Sequence, residues 1–164
     1  MKYYFITLAL LLLNFNLFAQ RSKPSPHQDM ERVLRNVAEN IIQNSSFKLI
    51  NKKTGETYTS SKNLPISSDI QIESPYNQWR YWNGVMNIGF IMLGNQLEDS
   101  RYIEYAKKNV AFAFDHDDYF KKMYDQGIRN TGLEQKYRMG LLDDCGAMGA
   151  GILAVNQIDP QNRY

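Results

Sequence analysis

Apolar residues recur every three or four positions along most of this chain, and that spacing constrains its fold more than any other feature of the sequence. It is the spacing of one face of an α-helix. The pattern predicts helices over about 29–44, 76–93, 100–114 and 141–155. Alternating runs rich in Val, Ile and Thr, which are typical of β-strands, are absent after residue 70. We therefore expect an all-α fold.

The connections between these segments predict a topology. Gly94-Asn95 marks the end of the second helix, and Asp99-Ser100 marks the start of the third. Helices joined by so few residues must pack antiparallel as a hairpin. The stretch over 45–74 lacks a helical period and is predicted to be a long loop, with room for a short strand or two. A shorter helix is expected near 119–124.

The last predicted helix is unusual because it contains Gly146, Gly149 and Gly151. Each glycine in a helix interior costs about 1 kcal/mol relative to alanine, so the three together cost roughly 3 kcal/mol. The usual compensation is the close approach of another backbone. We therefore expect this helix to pack tightly against a neighbour.

The N-terminus has the pattern of an export signal. Lys2 is followed by an apolar run that ends at Ala19, which is the order of charge, apolar core and small residue in a cleavable signal peptide. The uninterrupted run is shorter than the roughly 20 residues that cross a bilayer. We therefore predict a leader over 1–19, a linker over 20–28 and a folded domain over 29–164. The protein is expected to be periplasmic or secreted, without stable membrane insertion after cleavage.

Cysteine content and charge exclude several classes of protein. Cys145 is the only cysteine, so the chain has neither an intrachain disulfide nor a Cys-rich metal site. The formal net charge of +2 argues against a nucleic-acid-binding surface. With 43% hydrophobic residues, an apolar core must supply the stability. We expect neither a metal nor another cofactor.

Four features carry a resemblance to a known family. W-R-Y-W-N-G-V at 79–85 opens the second helix, and L-D-D-C-G-A-M-G at 142–149 opens the last. L-E-D-S-R-Y at 97–102 opens the third, and an aspartate-rich loop follows it at 115–118. Together they resemble the unsaturated glucuronyl and rhamnogalacturonyl hydrolases of glycoside hydrolase families 88 and 105. The resemblance covers about residues 75–155.

This resemblance implies an (α/α)6 barrel, in which six inner helices surround a cavity and six outer helices cover them. Such a barrel repeats helical hairpins of the kind predicted above. It contains more helices than the pattern predicts here. The chain is therefore expected to be the N-terminal part of a longer glycoside hydrolase, with the first hairpins only.

The resemblance also implies an activity, the hydration of the C4–C5 double bond in the unsaturated uronic acid that polysaccharide lyases leave on oligosaccharides. A single carboxyl group can deliver the proton and then activate the water. By motif position, the catalytic residue is Asp143. Side chains one residue apart on a helix point about 100° away from each other, so Asp144 is expected to act as a cap or to face a neighbouring helix. The alternative is that both aspartates only cap the helix.

Two aromatic residues are the candidates for stacking on substrate. Tyr81 and Trp82 match positions where the family places aromatic groups against the sugar; an indole stacks on a sugar ring and a phenol forms hydrogen bonds. The alternative is core packing, which the helical spacing favours for Trp79 and leaves open for Trp82. Tyr81 lies off that stripe and is the better candidate for the cavity.

The acidic loop supplies the remaining candidates for substrate binding. Asp115, Asp117, Asp118 and Asp125 are all candidates for a second carboxylate, and the sequence does not decide among them. His116 could donate a hydrogen bond to a sugar. The alternative for this loop is a solvated acidic turn in which His116 pairs with its neighbours. Too few oxygen ligands are present at the required spacing for a metal site.

Two other functions remain open. An exported helical carbohydrate-binding module would explain the leader and the aromatic residues but not the L-D motif at 142–143. A conventional (α/α)6 glycosidase would use a pair of carboxylates on ordinary glycosides. The expected partner in every case is an oligosaccharide.

Overall fold

Six α-helices and three short β-strands are present in residues 25–161 and 164, which the computed structural model describes. In chain order they are α1 Pro26–Gln43, β1 Leu49–Asn51, β2 Thr57–Tyr58, β3 Ile70–Ile72, α2 Tyr81–Leu97, α3 Ser100–Asp115, α4 Asp117–Asp125, α5 Glu134–Arg138 and α6 Leu142–Ile158. A 3-10 turn over Pro75–Asn77 precedes α2. The fold is mostly helical, as predicted, and a small sheet accompanies the helices.

The chain divides into two compact units, Met1–Asn36 and Val37–Tyr164. The predicted signal peptide over 1–19 lies outside the described residues. No helix in the described part of the chain combines the length and the apolar character needed to cross a membrane. The candidate functional residues all belong to the second unit.

Helix α1 begins three residues earlier than predicted. Pro26 occupies its first position, where a fixed φ suits the helix and no N–H is required. The Ser25 N–H donates to Gln28 Oε1 at 2.9 Å, and the Gln28 N–H donates to Ser25 Oγ at 3.3 Å. This reciprocal pair is a capping box, which satisfies two backbone donors at once. The predicted linker is therefore wrong over 26–28.

The segment predicted to be a long loop forms an antiparallel sheet in the order β2-β1-β3. Leu49 of β1 lies opposite Tyr58 of β2 on one side and Ile72 of β3 on the other. Leu49, Ile70 and Ile72 are buried, and Gln71 between the two isoleucines is not. Alternation over only three residues is enough for a strand here because the strand packs on the helical core.

Helices α2 and α3 form the predicted hairpin. Asp99 is the N-cap of α3, where its side chain accepts a hydrogen bond from the Arg101 N–H at 3.2 Å. The predicted end of α2 at Gly94 is wrong, because the helix continues to Leu97. Gly94 is buried, and a Cβ there would lie 2.6 Å from Ile103 Cγ1. The glycine therefore allows α3 to pack closely and does not end the helix.

Helices α2 and α6 lie side by side and parallel. A Cβ at Gly84 of α2 would overlap the backbone of Ala147 in α6, and a Cβ at Gly151 would lie 3.6 Å from the Cβ of Asn87. The contacts thus advance in the same direction along both helices. The expected close approach is present at Gly151, where a Cβ would lie 3.2 Å from Gly84 O.

The other two glycines of α6 do not share this contact. A Cβ at Gly146 or Gly149 would meet nothing within 4 Å. Close approach therefore explains one of the three glycines predicted to need it, and the structure gives no packing reason for the other two.

Buried apolar side chains form two clusters in the second unit. The first joins the sheet to α3 and α4 and contains Leu49, Ile70, Ile72, Trp79, Phe112, Ala113, Tyr119, Phe120, Met123, Leu133 and Met148. The second lies among α1, α2, α3 and α6 and contains Ala38, Phe90, Ile91, Tyr102, Tyr105, Ala106, Val110 and Val155. On both α2 and α6 the buried residues lie on one side of the helix, and the opposite side is exposed.

The α2–α6 contact generates a prediction about two glycines of one helix. Gly84→Ala is expected to lower the free energy of unfolding by about 1–3 kcal/mol or more, because the new methyl group overlaps backbone that cannot move aside. Gly89→Ala, on the open side of α2, is expected to raise it by about 0.5–1 kcal/mol. Urea unfolding monitored by circular dichroism measures both. Equal effects at the two positions would contradict the packing described here.

Candidate functional site

One side of α2 is apolar and exposed. Tyr81 and Val85 are each 48% exposed, Trp82 is 55% exposed and Met92 is 65% exposed. These residues recur at the spacing of a single helical face. Tyr81 thus lies away from the core, as the sequence suggested. Trp82 lies on the same exposed side as Tyr81.

Only part of the buried side of α2 follows from the apolar spacing. Trp79, which precedes the helix, is buried, as the spacing favoured, and Trp82, for which core packing was left open, is exposed. Asn83 and Asn87 occupy core positions together with Phe90. Periodicity alone does not select the buried face, because α2 carries apolar residues around most of its circumference.

Buried amide side chains form hydrogen bonds where α2 packs against α3 and the 3-10 turn. Asn77 Nδ2 donates to Asn109 Oδ1 at 3.0 Å, and Asn109 Nδ2 donates to Asn87 Oδ1 at 2.9 Å. Asn83 Nδ2 donates to the carbonyl oxygens of Pro75 and Gln78, each at 2.8 Å. These bonds fix the 3-10 turn against the start of α2 and so hold the aromatic motif in place.

Helix α6 exposes a matching surface. Leu142 is 87% exposed, Leu153 is 66% exposed, and Asp143 is also exposed. The other side of α6, which includes Asp144 and Met148, is buried. Because α2 and α6 are parallel neighbours with their cores on the same side, their exposed sides form one surface. We call this surface the open face and define it by Tyr81, Trp82, Val85, Met92, Leu142, Asp143 and Leu153.

Asp144 connects the two helices at one end of the open face. Its Oδ1 accepts a hydrogen bond from the Tyr81 N–H at 2.6 Å, so it caps α2 from outside. Asp143 Oδ1 in turn accepts from the Asp144 N–H at 2.9 Å. Asp144 therefore faces a neighbouring helix, as expected, and Asp143 and Tyr81 are brought to the same end of the helix pair.

An ion pair that the sequence did not predict supports this end. Arg80 Nη2 lies 2.9 Å from Glu134 Oε1, and Arg80 Nη1 lies 3.9 Å from Asp144 Oδ2. Glu134 Oε2 also accepts from the Gly132 N–H at 2.9 Å. The position of Arg80 within the W-R-Y-W motif could have marked it as a candidate site residue. Nothing near Glu134 in the sequence indicates that it pairs with Arg80.

His116 and Asp115 line a different groove, of about 500 Å³, together with Lys108 and residues of the 46–60 segment. The His116 ring is buried, packs edge-on against Phe112, and its Nδ1 lies 2.9 Å from Ser61 Oγ. Burial lowers the pKa of His116, and the Asp115 carboxylate opposes this in part. The ring is therefore held neutral by its surroundings. Its role in substrate binding stays a prediction.

The remaining acidic candidates do not join the open face. Asp117 Oδ1 accepts from the Tyr137 hydroxyl at 2.8 Å and pairs with Lys136 Nζ at 2.7 Å. Burial and this carboxylate raise the pKa of Tyr137, so the phenol stays protonated and donates. Asp125 pairs with Lys121, and Asp118 is exposed on α4. Nothing here selects a second carboxylate from the four candidates.

Comparison of the chain with protein-family models, with curated proteins and with solved structures found no match. Among residues 25–161 and 164, no three His, Cys, Asp or Glu side chains are grouped in a way that could hold a metal ion. The open face and its acidic end are therefore the basis for a functional hypothesis.

Asp144 and Asp143 are expected to contribute differently to stability, and substitution of each measures the difference. Asp144→Ala is expected to lower the free energy of unfolding by about 2–4 kcal/mol, because it removes a buried charge that caps α2 and faces Arg80. Asp143→Ala is expected to lower it by about 1 kcal/mol or less, the worth of an exposed cap. Chemical unfolding of both variants measures the difference. A larger loss for Asp143→Ala would overturn this assignment.

His116 predicts a pH dependence of stability. Its folded pKa lies below the ordinary value of 6.5, so the unfolded chain binds a proton more readily. Its contribution to stability is complete above pH 6.5 and is lost as the pH falls through the folded pKa. His116→Gln is expected to flatten the pH profile of unfolding free energy in this window. His27→Gln, at an exposed histidine, serves as control, and the same flattening there would refute the assignment.

Proposed function

We propose that this protein is a glycoside hydrolase that acts on oligosaccharides ending in an unsaturated uronic acid, by hydration of the C4–C5 double bond. The observation that carries the proposal is the exposed carboxylate of Asp143 at the same end of the open face as Tyr81 and Trp82. The carboxylate can act as general acid and base, the phenol can form a hydrogen bond to the substrate, and the indole can stack on a sugar ring.

The steps follow from these three side chains. Asp143 in its acid form donates its proton to C4, while water adds to C5; the carboxylate formed on Asp143 takes the proton that this water releases. The product is a hemiketal at C5, whose ring opens and releases the next sugar. Trp82 stacks on the sugar, and the Tyr81 hydroxyl forms a hydrogen bond to a hydroxyl or to the uronate carboxylate. No second catalytic carboxylate is required.

We extend the proposal to the fold and the location. Parallel α2 and α6, with α3 antiparallel to α2, support an (α/α)6 barrel, in which inner and outer helices alternate in direction. In such a barrel the open face would line the central cavity, which accounts for apolar side chains as exposed as Leu142. The leader pattern after Lys2 supports export to the periplasm or the medium, where lyase products arise.

A second candidate, a carbohydrate-binding module, is favoured by one observation. Trp82 is more than half exposed without needing Asp143 for its position, and an exposed indole binds sugars with or without catalysis. The two functions differ in whether the double bond is consumed.

The deciding experiment follows the ultraviolet absorbance of the conjugated double bond when lyase-generated oligosaccharides are added to the protein expressed from its full gene. The absorbance is expected to fall with enzyme concentration. Asp143→Asn is expected to slow the reaction by at least about 10²-fold, the usual contribution of an acid or base catalyst. Asp29→Asn, the same change on exposed α1, is the control and should keep full activity. Hydrolysis of saturated glycosides with unchanged absorbance, or binding alone, would refute the proposal.

A further inference from the structure

A second groove, of about 420 Å³, lies beside Arg80 and is separate from the open face. We call it the arginine groove and define it by its lining residues, which are Arg80, Tyr124, Arg129, Asn130, Glu134, Gln135 and Arg138. Its volume is within the range of about 300–1,000 Å³ for small-ligand sites. The loop between α4 and α5 forms one wall, and the residue that precedes α2 forms another.

The arginine groove carries a positive charge that the protein compensates only in part. Arg80 is paired with Glu134, whose carboxylate also lies in the groove. Arg129 Nη1 donates to Tyr124 O at 2.7 Å, and its guanidinium lies 3.9 Å from the centre of the Tyr124 ring, so its position is fixed by neutral groups. Within the described residues, neither Arg129 nor Arg138 forms a salt bridge.

A buried amide in the same groove lacks a partner. Gln135 is only 7% exposed, and its Oε1 accepts no hydrogen bond from the described residues. A buried acceptor without a donor is costly, and a ligand that donates a hydrogen bond to this atom would remove that cost. A hydroxyl group is a donor of suitable size, and sugars carry several.

We propose that the arginine groove binds an acidic sugar unit through its negatively charged substituent and a neighbouring hydroxyl. Guanidinium groups bind carboxylates and sulfate esters through two parallel hydrogen bonds. Arg129 and Arg138 would hold the anion, and Gln135 Oε1 would accept from the hydroxyl. Because Arg80 directly precedes Tyr81, the bound unit would belong to the same oligosaccharide as the sugar at Asp143; this last step rests on the proposed function.

Titration calorimetry at constant low ionic strength tests the binding itself. The probes are saturated galacturonic acid trimer, its methyl ester, and a sulfated galactose trimer. None of them contains the double bond, so binding is measured without turnover. We expect the methyl ester to bind at least about tenfold more weakly than the acid, since one charge-assisted contact is worth about that factor. Preferential binding of the sulfated trimer would assign the groove to sulfate esters and support the same proposal.

Variants locate the site. Arg129→Gln and Arg138→Gln are each expected to weaken binding of the charged probe about tenfold, and Arg138→Lys less, because the ammonium keeps the charge without the paired donors. Gln135→Leu is expected to weaken binding of the acid trimer and of its methyl ester by the same factor. Arg32→Gln, which removes an exposed arginine elsewhere, is the matched control. Circular dichroism confirms that each variant is folded.

Two results would overturn the proposal. One is equal affinity for the charged trimers and the methyl ester; the other is unchanged affinity in Arg129→Gln and Arg138→Gln. Either outcome is independent of the absorbance experiment, because a hydrolase without this groove would still consume the double bond. Conversely, saturated acidic trimers could bind while the absorbance of lyase products stays unchanged. That result would support the proposed groove and refute the proposed hydrolase activity.

Discussion

Gly84 of α2 lies against the backbone of Ala147 in α6, at a separation that leaves no room for a Cβ. The two helices are parallel, so both N-termini lie at the same end. In this arrangement Asp144, at the start of α6, reaches the Tyr81 N–H at the start of α2. The close approach of the two helix starts therefore depends on the missing side chain of Gly84.

The charged side chains near this contact together hold the start of α2 in place. Helix N-termini present unpaired N–H groups and a partial positive charge, and two of them side by side favour a carboxylate between them. Asp144 supplies it. Arg80 then compensates the buried carboxylates of both Asp144 and Glu134, and Glu134 fixes the backbone at Gly132. The charges at this end are thus coupled, and the loop before α5 is held to the start of α2.

Local sequence patterns predicted the features that depend on local chemistry. Asp99 as the start of α3, the short turn of the hairpin and the role of Asp144 as a contact to a neighbouring helix all follow from neighbouring residues. The sequence left room for a short strand or two over 45–74 but did not locate them, because Ile70, Gln71 and Ile72 alternate over only three positions, too few to distinguish from a loop without the core beneath them.

The buried side of α2 could not be predicted for a different reason. Its core positions hold Asn83 and Asn87, which are tolerated there because Asn109 of α3 and the carbonyl groups of the preceding turn provide partners. Asn109 is 22 residues from Asn87, and a partner at that distance in the sequence leaves no periodic signal. The same holds for Glu134, whose partner Arg80 is 54 positions distant.

The pair Asp143-Asp144 shows how one helix can separate structural from chemical tasks. A turn of about 100° between successive residues directs one carboxylate into the interface and the other onto the open face. The first is fixed by the Tyr81 N–H and Arg80. Because the two aspartates share one backbone, fixing Asp144 also fixes the Cα of Asp143 relative to Tyr81. The catalytic role that we propose for Asp143 would need such support from a rigid element, and Asp144 is in a position to provide it.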